Sequence, residues 1–266
     1  DVAGLRRNPE IAVVGGRSNR VLFLSPDTRP RISPLIADKQ GRPIEPNPLR
    51  DLRVRRALSL AIDRQGLAQR FMDGFAEPAS LMVPQGFLGF DDSVPVDPYD
   101  PARARALLAE AGFPDGFAIT IHCTNNRYVN DARVCQAVGQ MLARIGLAVQ
   151  VQTVPANIFF SRNGAEGSEY SLSMVGWGTA AEASSGLVAW IHTFDRAGGF
   201  GFSNRGGYSD PALDRLIEQA IGIMDTTARD ARLKEAMRIT ARDLPVIPLY
   251  NQYTITAVRK PLGYLP

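Results

Sequence analysis

Two histidines, two cysteines and a scatter of carboxylates are the groups in this 266-residue chain that could act as bases, nucleophiles or metal ligands. His122 alternates within a strand-like run over 117–123, and His192 closes the apolar run Leu187–Ile191. Neither has a companion at metal-ligand spacing, so both read as structural or surface residues. Ser184 and Ser185 precede Gly186, but no G-x-S-x-G elbow surrounds them. A serine paired with His192 would share its local segment, with no orienting acid in view. Gly199-Phe200-Gly201 is followed by Asn204 and not by the third glycine of a dinucleotide fingerprint. There is no Walker loop. Most carboxylates are explained as caps or helix-surface residues, and no acid–base pair stands out. The residues point away from catalysis and require neither cofactor nor metal.

Cys123 and Cys135 are 12 positions apart, which is no zinc pattern. Cys123 ends a predicted strand and Cys135 lies early in the next predicted helix. A disulfide is geometrically possible and would suit an oxidising compartment. Two buried free thiols are the alternative, preferred by a narrow margin.

What remains is a set of polar and aromatic residues on loops that follow strands. Asn125-Asn126-Arg127-Tyr128 follows the strand 117–123. Gly176-Trp177-Gly178 ends the strand 171–176, and a small, polar run from Thr179 to Gly186 comes next. Asn204 to Tyr208 form a Gly-rich loop. In open α/β sheets, ligands bind outside the carboxyl ends of the strands. The planar fork of Arg127 fits a carboxylate, and Trp177 offers a flat apolar wall with one donor. The competing readings are a surface or capping arginine and a plain core tryptophan.

The elements that must position these loops are legible from period and punctuation. Helices are predicted at 52–63, 65–73, 101–111, 131–145, 211–224 and 226–242, and strands at 117–123, 147–153, 171–176 and 246–258, the last possibly broken. Asp100-Pro101 and Asp210-Pro211 each place a capping carboxylate before a proline at the first helical position. Asn130 or Asp131 can cap the helix that runs to Ile145. Gly112 and Gly146 suit left-handed C-caps. Residues 118–151 read as strand, helix, strand, so a parallel pair is expected. In the helix from Asp51, Val54, Ala57, Leu58, Ala61 and Ile62 form one apolar face, and Arg53, Arg55 and Arg56 line the opposite side. Residues 1–48 are rich in Pro and Gly, with two strand-like runs, Ile11–Val14 and Arg20–Leu24. They do not read as a domain of their own.

Composition narrows the class. No apolar run approaches the about 18 residues that span a bilayer. Residues 1–56 carry a net charge of +6 and the remainder −3. The arginines of the first segment are scattered among Pro and Gly, without the contiguous basic surface that nucleic-acid binding needs. The chain opens at Asp1 and not at Met, which reads as a mature or truncated product, so a missing leader does not count against export.

Several stretches, in order along the chain, resemble one family. Asn47–Arg64, NPLRDLRVRRALSLAIDR, looks like the signature helix of the periplasmic solute-binding proteins of dipeptide/oligopeptide type that serve ABC importers. Tyr99–Phe113, YDPARARALLAEAGF, resembles the family's "y-d-P-e-k-A-k-x-L-L-a-e-A-G" helix. Arg127–Asp131 with Gln136–Val149, Gly176-Trp177, Tyr208–Leu216 and Asp225–Leu249 resemble further family motifs. The motifs are weak singly and specific together.

The resemblance implies an α/β fold: the C-terminal lobe of a two-lobed periplasmic binding protein (type II, cluster C-like), with hinge-crossing strands from the first lobe. It implies that 1–48 is the tail of the first lobe and the hinge crossing, 49–245 the second lobe, and 246–266 the return crossing. Its partners would be a peptide or small-molecule ligand, the inner-membrane ABC permease and the missing N-terminal lobe, with the protein a periplasmic monomer. In peptide-binding relatives an arginine matching Arg127 grips the ligand carboxylate. An aspartate soon after the "G-W" strand pairs with the ligand amine. Here Gly178–Ala181 carries no acid, and Glu182 is the nearest carboxylate, one or two positions late. The ligand-facing candidates are therefore Arg127, Trp177, Glu182, Asn204 and Tyr208. Two other classes compete with a transport role: a small α/β hydrolase using His192, and a sensor or chaperone-like binding module of the same fold.

Overall fold

The computed structural model describes residues 2–264, so Asp1, Leu265 and Pro266 at the ends of the two outer segments lie outside the described residues. In chain order the elements are α1 (Val2–Arg6), β1 (Ile11–Pro26), β2 (Ile36–Ala37), α2 (Leu52–Leu60), α3 (Arg64–Arg70), β3 (Ala76–Pro78), α4 (Pro101–Glu110), β4 (Ala118–Thr124), α5 (Asp131–Ala143) and β5 (Ala148–Val154). There follow α6 (Ala156–Ser161), β6 (Leu172–Gly178), α7 (Ser184–Gly186) running into a wide helical turn at Leu187–Ile191, α8 (Pro211–Gly222), α9 (Thr226–Asp243) and β7 (Ile247–Arg259).

Helix starts follow the capping chemistry. Asp51, Asp100, Asp210 and Asp225 each accept a hydrogen bond from a backbone N–H of the first turn, at 2.8–2.9 Å. Gly112 and Gly146 close helices at φ +94° and +101°, where a Cβ would be strained. The predicted helix 52–63 stops at Leu60, because Asp63 caps a second helix by accepting from the Gly66 N–H at 2.8 Å.

Seven strands form one mixed sheet in the order β2-β4-β6-β1-β7-β3, with β5 on the other side of β4. The expected parallel pair is present, with β4 and β5 in register from Ala118↔Ala148 to Thr124↔Val154. β1 and β7 run antiparallel and sit at the sheet's centre. The two strand-like runs 11–14 and 20–24 are one 16-residue strand. Gly15 and Gly16 interrupt the alternation in sequence, but the pairing to β7 continues through both. Gly15 is also a steric requirement, since an added Cβ would fall 2.4 Å from the Phe75 ring. β1 from Arg20 to Pro26 pairs β6, whereas Ile11–Arg17 pairs only β7, so the two strands leave the sheet together as a ribbon.

The sheet is covered on both faces. Leu22, Leu24, Ile121 and Met174 pack under α2, α4 and α5. Phe23, Val175 and Trp190 pack under α8 and α9. The arginines of α2 do not all line a solvent face as expected. Arg55 is buried and donates to the carbonyls of Leu49, Arg50 and Asp243. Asp243 ends α9, where a carbonyl has no partner within its own helix. A buried guanidinium supplies the missing donor.

Cys123 and Cys135 form a disulfide, with Cα atoms 6.3 Å apart, and not the pair of free thiols preferred from sequence. The crossover lays α5 back over β4, so the two buried side chains meet. Closing a loop of this length constrains the unfolded chain. Reducing the bond, or replacing both cysteines by alanine, should lower stability by about 2–3 kcal/mol in urea denaturation.

Candidate functional site

The carboxyl ends of β4, β5 and β6 lie along one edge of the sheet. Arg20 of β1 pairs with Gly178 at the end of β6, so the β1–β7 ribbon departs from this same edge. Arg127, in the loop after β4, and Trp177, near the end of β6, therefore stand beside the strands that leave the sheet.

Asp131 builds the first of these loops. Its buried carboxylate accepts from the Thr124 hydroxyl at 2.7 Å and from the N–H groups of Arg127 at 3.0 Å, Tyr128 at 3.2 Å and Ala132 at 2.9 Å. The loop then delivers Tyr128 to the end of β6, where its hydroxyl accepts from the Gly176 N–H at 3.0 Å. Gly176 makes room for it, since a Cβ there would lie 3.0 Å from the tyrosine ring and 2.7 Å from Leu22. The guanidinium carbons of Arg127 and Arg20 each lie 6.0 Å from the centroid of that ring. Neither guanidinium has an ion-pair partner among the described residues.

Trp177 follows on the opposite face, half-buried and paired in register with Val21. Its ring meets Trp190 edge-on at 6.2 Å, and its N–H donates to the Ser185 hydroxyl at 3.4 Å. Ser185 in turn bonds the Thr179 hydroxyl at 2.9 Å, and the Thr179 N–H donates to the Asn19 carbonyl at 2.9 Å. The loop after β6 is thus tied to β1. A cavity of about 190 Å³ lies between β1, β7 and the segment that follows β3, lined by Val21, Pro78, Phe90 and Asn251. That is less than the about 300 Å³ of a typical small-molecule site.

The other three candidates are placed elsewhere. Glu182 turns toward α9, where Arg229 donates to both its oxygens and Ser184 to one of them. These hydrogen bonds, the Arg229 one foremost, hold its carboxyl below the usual range. Asn204 is buried and locks its own loop, donating to the His192 and Tyr208 carbonyls at 3.0 and 2.7 Å and accepting from the Tyr208 N–H. Tyr208 donates to Asp243 at 3.2 Å, and burial raises its phenol above the ordinary value. The structure thus brings Arg127 and Trp177 to one edge and commits Glu182, Asn204 and Tyr208 to internal partners. It adds Arg20, which sequence reasoning passed over. The signal was its even spacing from Leu22 and Leu24 in a strand-like run, which put it on their face at the strand's end.

The His192 ring nitrogens face the Thr193 carbonyl at 2.7 Å and Glu218 at 3.0 Å, and the ring stacks on Phe200. No hydroxyl or thiol sits at either nitrogen, so the pair a hydrolase needs is missing among the described residues. Among those residues no group of three or more His, Cys, Asp or Glu side chains could hold a metal ion, and no helix is long and apolar enough to cross a membrane.

The family model for bacterial extracellular solute-binding proteins, family 5 (middle region), matches residues 1–197, and the chain belongs to that family. The glutathione-binding protein GsiB of Escherichia coli K12 is 31% identical over 225 residues, covering 81% of this chain and 42% of its own. Di/tripeptide-binding protein 2 of Pseudomonas aeruginosa is 28% identical, over 98% of this chain and 46% of its own. In structure, the periplasmic binding protein DppA of Helicobacter pylori, solved with the peptide STSA, superposes with a TM-score of 0.80 at 23% identity, over 97% of this chain and 46% of DppA. The chain spans about half the length of the curated relatives it matches.

Two outcomes follow from the site's wiring. Asp131→Ala leaves four donors without their acceptor and should cost about 2–4 kcal/mol, read by chemical denaturation. Glu182 has a folded pKa below its unfolded value, so its ion pair stabilises above the unfolded carboxylate range and is lost as pH falls through the folded value. Wild type should therefore exceed Glu182→Gln by about 1 kcal/mol near neutral pH. The two should converge in acid below the carboxylate range.

Proposed function

We propose that this chain is the C-terminal lobe of a periplasmic solute-binding protein that delivers a peptide or related small polar solute to an ABC permease. It performs no catalysis. The observation that carries the reading is the shared edge: Arg127 and Trp177 stand beside the ribbon that would cross to a first lobe. Residues 1–48 and 246–266 would be the two crossings. The peptide- and glutathione-binding names of the relatives support this solute class. Lobe closure about the ribbon would enclose the solute. Arg127 would neutralise its carboxylate through a charge-assisted pair of hydrogen bonds, and Trp177 would wall the pocket. A site of which one side is absent leaves most of the solute in water, so the isolated lobe should bind poorly.

Calorimetry on the full-length protein against a panel of di- and tripeptides tests this. Binding is expected, with Arg127→Ala weakening it by about 10–100-fold, the worth of one hydrogen-bonded charge pair. Tight peptide binding by the isolated lobe, unaffected by Arg127→Ala, would overturn the reading.

A further inference from the structure

Most arginines of this chain are spent on carboxylates or carbonyls, and Arg205 is an exception. It rises from the Gly-rich loop before α8, and its guanidinium carbon lies 5.1 Å from the Phe160 ring centroid and 5.5 Å from that of Trp190. Phe160 belongs to α6, just after the carboxyl end of β5, and Trp190 meets Trp177 at the end of β6. The side chain is largely covered, and its Nε is buried without a hydrogen-bond partner. No ion pair or side-chain hydrogen bond engages the rest of the guanidinium. Burial holds its pKa below the ordinary guanidinium value. Its backbone is clamped, with the Arg205 carbonyl accepting from Arg29 at 2.8 Å. The guanidinium is therefore a positioned, half-desolvated cation between two aromatic walls, on the side of the sheet that Trp177 occupies.

Two further guanidinium groups without ion pairs stand at the same edge, toward the opposite face of the sheet. Arg20 and Arg127 flank Tyr128 without ion-pair partners. Glu182 is committed to Arg229, Asp131 to four donors and Glu77 to Arg17 and Tyr253, and Asp27, whose partner Arg29 also holds the Arg205 carbonyl, is paired with Arg29 and Arg31. Among the described residues nothing neutralises the three guanidinium groups. A partly buried cation left unpaired is costly unless a ligand pairs it.

We infer that Arg205 is a second anion-binding residue of this edge, and that the solute carries an acidic group beyond the carboxylate assigned to Arg127. The inference rests on the reading that this edge is the solute site. It narrows the solute to an acidic peptide or another small molecule with two separated acidic groups. A zwitterionic dipeptide with neutral side chains would leave Arg205 unpaired. The terminal nitrogens of the guanidinium carry no hydrogen bond among the described residues and can take a pair of acidic oxygens.

The test uses the full-length protein and two probe pairs, followed by calorimetry. One pair is Gly-Glu-Gly and Gly-Gln-Gly; the other is the dianion glutarate and its mono-amide. The acidic member of each pair is expected to bind at least about tenfold more tightly, the worth of a charge-assisted hydrogen bond. Arg205→Gln should erase that preference by bringing Gly-Glu-Gly affinity down to that of Gly-Gln-Gly. Arg205→Lys, which keeps the charge, should retain part of the preference, and serves if the glutamine variant does not fold. A preference that survives Arg205→Gln, or is absent from wild type, overturns the inference. Peptide binding without acid preference would leave the proposed function standing and remove the inference alone. An Arg205-dependent preference for glutarate without peptide binding would do the reverse for the peptide class. Binding of neither probe pair would remove both.

Discussion

The antiparallel pairing of β1 with β7 is the constraint on which the rest of this structure depends. It joins Ile11 to Arg259 and Leu24 to Ile247, residues from opposite ends of the chain. Such a contact closes a very long loop and gains nothing until the intervening chain is ordered. Once made, it supplies the two central strands of the sheet. β6 and the parallel pair β4–β5 are added on one side and β3 on the other. The same pairing sends a ribbon out past the carboxyl ends of the parallel strands. The ribbon and the carboxyl end of β6 share an edge because β1 runs antiparallel to β6 and leaves where β6 ends.

Buried arginines hold the helical layer to this frame. Arg64 donates to the Pro248 carbonyl of β7 at 2.8 Å and to the Ser59 carbonyl and hydroxyl, and burial pushes its pKa down to about 10, so it stays charged near neutrality. Arg55 reaches the end of α9, and Arg56 makes a paired contact with Asp97, which also accepts from Ser59. The segment that resembles a family signature thus owes its residue types to scaffold chemistry. Its charges satisfy carbonyls that helix ends and bends leave open. No ligand is needed to explain them.

The same accounting separates structural polar residues from available ones. Asn204 has its amide saturated, Tyr208 is bonded to Asp243, and Glu182 is held by Arg229. A polar side chain with all its bonds made inside the protein is not free to recognise a solute. Arg20, Arg127 and Arg205 have no such partners, and they give the edge its positive character.

The sequence by itself determined the local pieces. Asp-Pro at 100–101 and 210–211, glycine at 112 and 146, and the strand–helix–strand period over 118–151 specify starts, stops and a parallel pair, because capping and periodicity act over a few residues. The positions of Arg127, in the loop after β4, and of Trp177, near the end of β6, were legible for the same reason. Only the tertiary structure decided what depended on distant partners. It made one strand of two runs separated by glycines, since β7 pairs across the gap. It buried Arg55, since the end of α9 lies beside it. It joined Cys123 to Cys135, since α5 folds back over β4. It withdrew Glu182 from the site, since Arg229 stands opposite, 47 positions along the chain. Residue type tells what a side chain can bond; only the packed chain decides what it meets, because those partners come from elements far apart in sequence.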